Sequence, residues 1–118
     1  MMRALALVLS LCAGTAVAQD ATSAPAGILR VLDKITGVVT DLEFRAGETR
    51  QHGGLTITMS DCRYPSDNPS GDAYELLTIL YRGGVTPVFR GWMIASAPAL
   101  NAMDHPRYDV WPLRCITS

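Results

Sequence analysis

The chain has 118 residues, with ten basic and eleven acidic side chains and a formal charge of −1. A balance this close to neutral lacks the electrostatic footprint that nucleic acid or an anionic membrane surface requires. Hydrophobic residues make up 48% of the chain, and the length suits one domain with one small core.

The first eighteen residues read as a secretory signal peptide: Arg3 in "MMR", the apolar run "ALALVLSLCAGT", then small residues at Ala16 and Ala18. Cleavage is expected after Ala18. The run is shorter than the ~18–20 residues of a membrane-spanning helix, which argues against an anchor. Cys12 raises the question of lipidation, but Leu11 stands where a lipoprotein wants a small residue. The mature chain, 19–118, then carries nine basic side chains (Lys34 and eight arginines) against eleven acidic ones. It is expected to be periplasmic, with no membrane span after cleavage.

Residues 19–27, "QDATSAPAG", are small and polar without periodicity and read as a flexible leader to one β-rich domain, 28–118. In "VVTDLEF", Val38, Thr40, Leu42 and Phe44 alternate with polar residues, the mark of a half-buried strand. "RAGE" supplies a turn at Gly47. Gly53-Gly54 suits a tight hairpin before "LTITM", which sends Leu55, Ile57 and Met59 inward. A bulge near Ser60 is expected, because unbroken alternation would point Cys62 away from the core. "RYPSDNPSGD" (63–72) reads as a solvated loop. Its Asp67, Asn68 and Asp72 do not match calcium-loop spacing.

"AYELLTILY" (73–81) is apolar on both faces apart from Glu75 and Thr78, which predicts a central strand covered on both sides. Gly83-Gly84 opens a second hairpin, and Gly91 marks a bend or close backbone approach. "SAPALNAM" reads as a turn or two of helix, with Ser96 as N-cap and Leu100 and Met103 on one face. In the last strand, "YDVWPLRC", Trp111, Leu113 and Cys115 alternate with Tyr108 and Val110. The pattern predicts a mainly β fold: a small antiparallel barrel or sandwich of five or six strands with one short helix. Periodicity does not choose between barrel and sandwich.

With Cys12 removed, Cys62 and Cys115 form an even pair in an oxidising compartment, which predicts a disulfide. The competing reading, Cys115 as a thiolate nucleophile assisted by His105, has no C-x-x-C or metal-type spacing behind it.

"LDKITG" (32–37), "LTITMSDCRY" (55–64), "GWMIASAPALNAMDHPRYDVW" (91–111) and the closing Cys115 resemble the bacterial family known as domain of unknown function 2155. The resemblance runs from about Ile28 to Cys115. It implies a small exported protein of the alphaproteobacterial type and carries over no catalytic residue. Ile94 and Pro112 depart from the pattern. Pro112, lacking a backbone donor, argues for an edge position or a bulge in the last strand.

Candidate chemistry is sparse. Ser96, His105 and Asp109 have the residue types of a hydrolytic triad, but no Gly-x-Ser-x-Gly turn exposes a nucleophile. The plainer reading places His105 after the helix end, its cation favoured by the helix dipole and Asp104. His52 and His105 lie on separate elements, so no metal site and no cofactor is expected. Asp104 and Asp109 as a glycosidase pair lack room for a deep cleft.

Phe89, Trp92, Tyr108 and Trp111 cluster in sequence, and by parity half should be core and half near the surface. The candidate binding surface is Phe89, Trp92, Ser96, Leu100, Asp104, His105, Tyr108 and Trp111. The leading expectation is a non-enzymatic module that binds another envelope protein. A domain binding peptidoglycan or a small ligand through exposed aromatics is the alternative, and a small hydrolase centred on His105 stands behind both.

Overall fold

The structure, a computed structural model, describes residues 20–117; the expected signal peptide and Cys12 lie outside the described residues. Eight strands run in chain order: β1 (Ala21–Ser23), β2 (Ala26–Asp33), β3 (Val39–Arg45), β4 (Glu48–His52), β5 (Leu55–Pro65), β6 (Tyr74–Tyr81), β7 (Phe89–Ile94) and β8 (Tyr108–Ile116). They form two antiparallel sheets. One has the order β1-β5-β6-β7, with β4 also paired to β5; the other has the order β3-β2-β8. The sheets stack as a sandwich and do not close into a barrel, which settles the alternative that periodicity left open.

The count of strands exceeds the five or six expected because short segments switch sheets. β1 pairs with the far end of β5, and after Ala24-Pro25 the chain enters the other sheet as β2. Within 19–27, expected to be a flexible leader, Ala21–Ser23 and the start of β2 at Ala26 are therefore strand, and Ala24 and Ala26 are buried. Their lack of alternation reflects a chain crossing between layers, where neither face repeats. The turn at Gly47 (φ +88°) moves the chain back from β3 to β4. Gly53-Gly54 closes the β4–β5 hairpin as predicted, with Gly53 at φ +56°.

Alternation fills the core. Leu29 and Val31 of β2, Phe44 of β3, Leu55, Ile57 and Met59 of β5, and Leu77 and Ile79 of β6 are all fully enclosed. β6 is central within its sheet, but only one of its faces is buried. Tyr74, Leu76, Thr78 and Leu80 on the other face are half-covered. The expectation of cover on both sides fails because, among the described residues, no further layer lies over that sheet; its outer side chains shield one another.

Two bulges set the fold's chemistry. In β5 the register shifts between Met59 and Asp61, as expected, and turns Cys62 inward. β8 is an edge strand whose pairing with β2 steps from Leu29–Pro112 to Ile28–Arg114, leaving Leu113 without a partner. Tyr108, Val110 and Pro112 therefore face inward, and the extra residue brings Cys115 in after them. This corrects the simple alternation read from the sequence, which put Trp111 and Leu113 on the side of Cys115.

The predicted helix shrinks to one 3-10 turn, Pro98–Leu100. Ala97 precedes the turn without a side-chain cap, while Ser96 instead binds Asp72: its N–H and hydroxyl donate to that carboxylate over 3.0 and 2.6 Å. Leu100 is 76% exposed and Met103 is buried, so the two do not share a face. The Asn101 side-chain amide donates to the Trp92 carbonyl (2.8 Å), holding this segment against β7. A β-carbon at Gly91 would lie 3.1 Å from that amide nitrogen, so the glycine serves the close approach predicted for it.

Candidate functional site

At one end of the sandwich the two bulges bring Cys62 and Cys115 face to face. Their sulfurs are bonded at 2.10 Å, with α-carbons 5.8 Å apart, linking β5 of one sheet to β8 of the other. Each cysteine has a specific neighbour. Glu75 of β6 pairs with Cys62, and Gly27 of β2 pairs with Cys115. Glu75 falls on the inward parity of Leu77 and Ile79 and is 0% exposed. Its Oε1 lies 3.6 Å from Cys62 Sγ, and its Oε2 has no hydrogen-bond partner. Burial alone pushes this carboxyl up to about 9, so it is neutral at neutral pH.

Space for the carboxyl comes from Gly27. A β-carbon there would sit 2.7 Å from Cys62 Sγ, 3.0 Å from Glu75 Oε1 and 3.1 Å from Met59 Sδ. A bonded sulfur carries no proton, so in the contact with Cys62 the neutral carboxyl is the group able to donate. Cys115 lines a surface hollow of about 450 Å³, together with Pro69, Ser70, Arg114 and Thr117.

The opposite end holds His105. It is buried, and its Nδ1 accepts from the backbone N–H groups of Arg107 (3.1 Å) and Tyr108 (3.2 Å). Nδ1 is thus an acceptor for two backbone donors, and the helix expected to end at His105 does not reach it: only the 3-10 turn Pro98–Leu100 forms before it. The ring packs edge-on to Tyr81 (4.5 Å) and against Tyr108 (5.8 Å). Tyr108 is itself buried, and its hydroxyl accepts from the Gly54 N–H (3.1 Å). Lys34 donates to the His105 carbonyl (2.7 Å) and pairs with Asp109 (3.2 Å).

Arg107 lies over the Tyr108 ring (5.2 Å) and pairs with Asp33 (3.1 Å). That hydrogen bond, helped by the N–H groups of Ile35 and Thr36, holds the Asp33 carboxyl below the usual range despite its partial burial. This end is a cross-linked closure of four chain segments.

The proposed triad is not assembled. Ser96 is bound to Asp72 beside the start of β6, while His105 and Asp109 sit at the far end of β8. Cys115 and His105 are likewise apart, separated by about 20 Å of strand at some 3.3 Å per residue. Among the described residues no group of three or more His, Cys, Asp or Glu side chains could hold a metal ion.

The candidate binding surface does not come together as one patch. Phe89, His105 and Tyr108 are buried. Trp111 stands on the outer face of the three-stranded sheet, opposite Arg30. Trp92 stands on the outer face of the other sheet, beside Leu76. Ser96, Leu100 and Asp104 are exposed. The parity expectation for the aromatics holds, with Phe89 and Tyr108 in and the two tryptophans out.

What remains continuous is the ground around Trp92. Arg63 lies over its ring (5.1 Å), and Ala21, Arg63, Tyr74, Trp92 and Ile94 line a shallow hollow of about 230 Å³. Sequence reasoning named Trp92 but missed Arg63 and Tyr74, which reach the site through strand pairing. It also missed Glu75 and Gly27. For Glu75 the signal was present: it shares parity with Leu77 and Ile79.

Residues 27–115 match the family described as "Uncharacterized protein conserved in bacteria (DUF2155)". An uncharacterized protein of Rickettsia prowazekii (strain Madrid E), RP359, is 32% identical over 92 residues, a match covering 75% of this chain and 59% of that protein. The chain thus spans 59% of that relative's length. No solved structure matches.

Proposed function

We propose that this chain, which belongs to the bacterial family DUF2155, is a non-enzymatic protein-interaction module of the cell envelope. The observation that carries the reading is the outer face of the five-stranded sheet. There Trp92, Tyr74 and Ile94 surround a hollow edged by Arg63, with no further layer above them among the described residues. Aromatic and arginine side chains are the usual anchors of protein interfaces. Leu100 is also exposed, in the segment that the Asn101–Trp92 bond holds against β7. His105, the candidate general base, is buried with its Nδ1 engaged by two backbone N–H groups.

A photo-crosslinking residue at position 92, read in intact cells, tests the proposal. Capture of one envelope protein from position 92, and none from position 111 on the opposite sheet, is expected. A monomer uncaptured from either site argues against the reading. Trp92→Ala should weaken binding to the captured partner at least about tenfold.

A second reading has one specific observation behind it: a tryptophan ring beside a guanidinium and a tyrosine is also a surface on which a sugar ring can stack. Tryptophan fluorescence titrated with soluble peptidoglycan fragments separates the two. No shift at millimolar fragment removes the glycan version.

A further inference from the structure

We propose that the Cys62–Cys115 disulfide is a thiol-exchange site, opened at Cys115 by a dithiol reductant, with Glu75 as the internal acid that protonates the departing Cys62 sulfur. The two sulfurs have unequal surroundings. Cys115 is also buried, at 7% exposure with its sulfur 3.4 Å from the Arg63 carbonyl, but it lines the 450 Å³ hollow, where Arg114 offers a cation to an approaching thiolate. Cys62 is 0% exposed, and Glu75 Oε1 lies 3.6 Å from its sulfur. A thiolate leaving into such an interior is costly, and its departure is slow unless a proton meets it.

The carboxyl is free for that task. Its Oε2 has no hydrogen-bond partner among the described residues. An unpaired buried carboxyl is a standing cost to the fold, and Gly27 gives up its side chain to make the room.

The step balances as follows. One thiol of the reductant loses its proton to solvent, and its sulfur attacks the Cys115 sulfur. The S–S bond breaks, and its electron pair goes to Cys62. The Glu75 O–H proton passes to that sulfur, leaving a Cys62 thiol and a Glu75 carboxylate. The second thiol of the reductant, deprotonated by solvent, attacks the mixed disulfide and expels the Cys115 sulfur. That sulfur and Glu75 each recover a proton from water. The dithiol is oxidised to a disulfide, and the protein disulfide is reduced to two thiols.

Cys62 of β5 touches Glu75, Met93 of β7 pairs with it, and the space beside Gly27 of β2 that its carboxyl occupies is also bordered by Met59 of β5. None of them carries a charge, and burial is the sole cause of its shift. The proton donor is therefore present at neutral pH and lost near pH 9.

The test uses the oxidised full-length chain, reduced with excess dithiothreitol. Differential alkylation and mass spectrometry read Cys62 and Cys115 across pH 6.5–10. At pH 7 the wild type should be reduced on the order of tenfold faster than Glu75→Gln, a modest share of what positioned acids contribute. The ratio should approach one above pH ~9, where the wild type has lost its acid.

The wild type alone gives a second readout, should the variant fold poorly. Its rate, divided by the thiolate fraction of the reagent, should fall through the same range. Equal rates for both proteins at every pH, or a rate independent of dithiol concentration and equal to global unfolding, would overturn the proposal.

Discussion

The two ends of the sandwich both bury titratable side chains, and they treat them in opposite ways. His105 is enclosed with Nδ1 bonded to two backbone N–H groups and its ring between two tyrosines. Even Arg107, whose Nε has no partner, has its guanidinium over Tyr108 and an ion pair to Asp33. Glu75 is enclosed with one oxygen against sulfur and the other against nothing polar. A buried polar group whose bonds are made closes a fold. One whose bonds are missing costs stability and is worth examining for chemistry.

The largest effect should come from the sulfur end. Replacing both cysteines (Cys62→Ala with Cys115→Ala) removes a cross-link between residues 53 apart in sequence. The chain-entropy account puts this at about 4 kcal/mol. Denaturant unfolding measures it, and a loss much smaller than that would mean the sandwich does not depend on its bridge.

Next is the pH dependence of Glu75. The folded protein keeps this proton up to pH about 9, whereas an unfolded chain gives it up above its ordinary value near 4.5. The folded state thus binds more protons between those values, and stability falls as pH rises through that window. The limiting slope is about 1.4 kcal/mol per pH unit. Glu75→Gln should remove this slope, so from pH 5 to pH 8 the wild type should lose stability that the variant retains. Parallel stability curves would contradict a neutral Glu75.

At the other end, His105→Ala leaves two backbone donors without an acceptor and should cost roughly 2 kcal/mol. His105→Asn, which offers a side-chain carbonyl, should recover part of this. Smallest of all is Lys34→Met. The Lys34–Asp109 pair is partly exposed, with side chains 37% and 31% accessible, so a change below about 1 kcal/mol is expected.

Much of this layout can be read in the sequence. Alternation in "LTITM" placed Leu55, Ile57 and Met59 in the core, and the need to bring Cys62 inward implied the bulge in β5. Pro112 signalled an edge or bulge, and β8 has both. The failures have physical causes. "SAPALNAM" has helical composition, but the Ser96–Asp72 and Asn101–Trp92 bonds tether it at two points, and only the 3-10 turn Pro98–Leu100 forms between them. β1 was invisible because three residues paired to a distant strand leave no period of their own.

For the site, Cys62 and Cys115 were legible as a pair. Their meeting with Glu75 and Gly27 was not, since it depends on pairings between strands far apart in sequence. His105 drew attention by residue type, and only its bonding revealed a structural role.

The protonation of Glu75 is the claim on which the contrast between the two ends rests, and carbon-13 NMR of its side-chain carboxyl reads it directly. The oxidised chain should show a neutral carboxyl at pH 7 that titrates only near pH 9. A carboxylate already ionised at pH 7, with a midpoint near 4.5, would contradict the account.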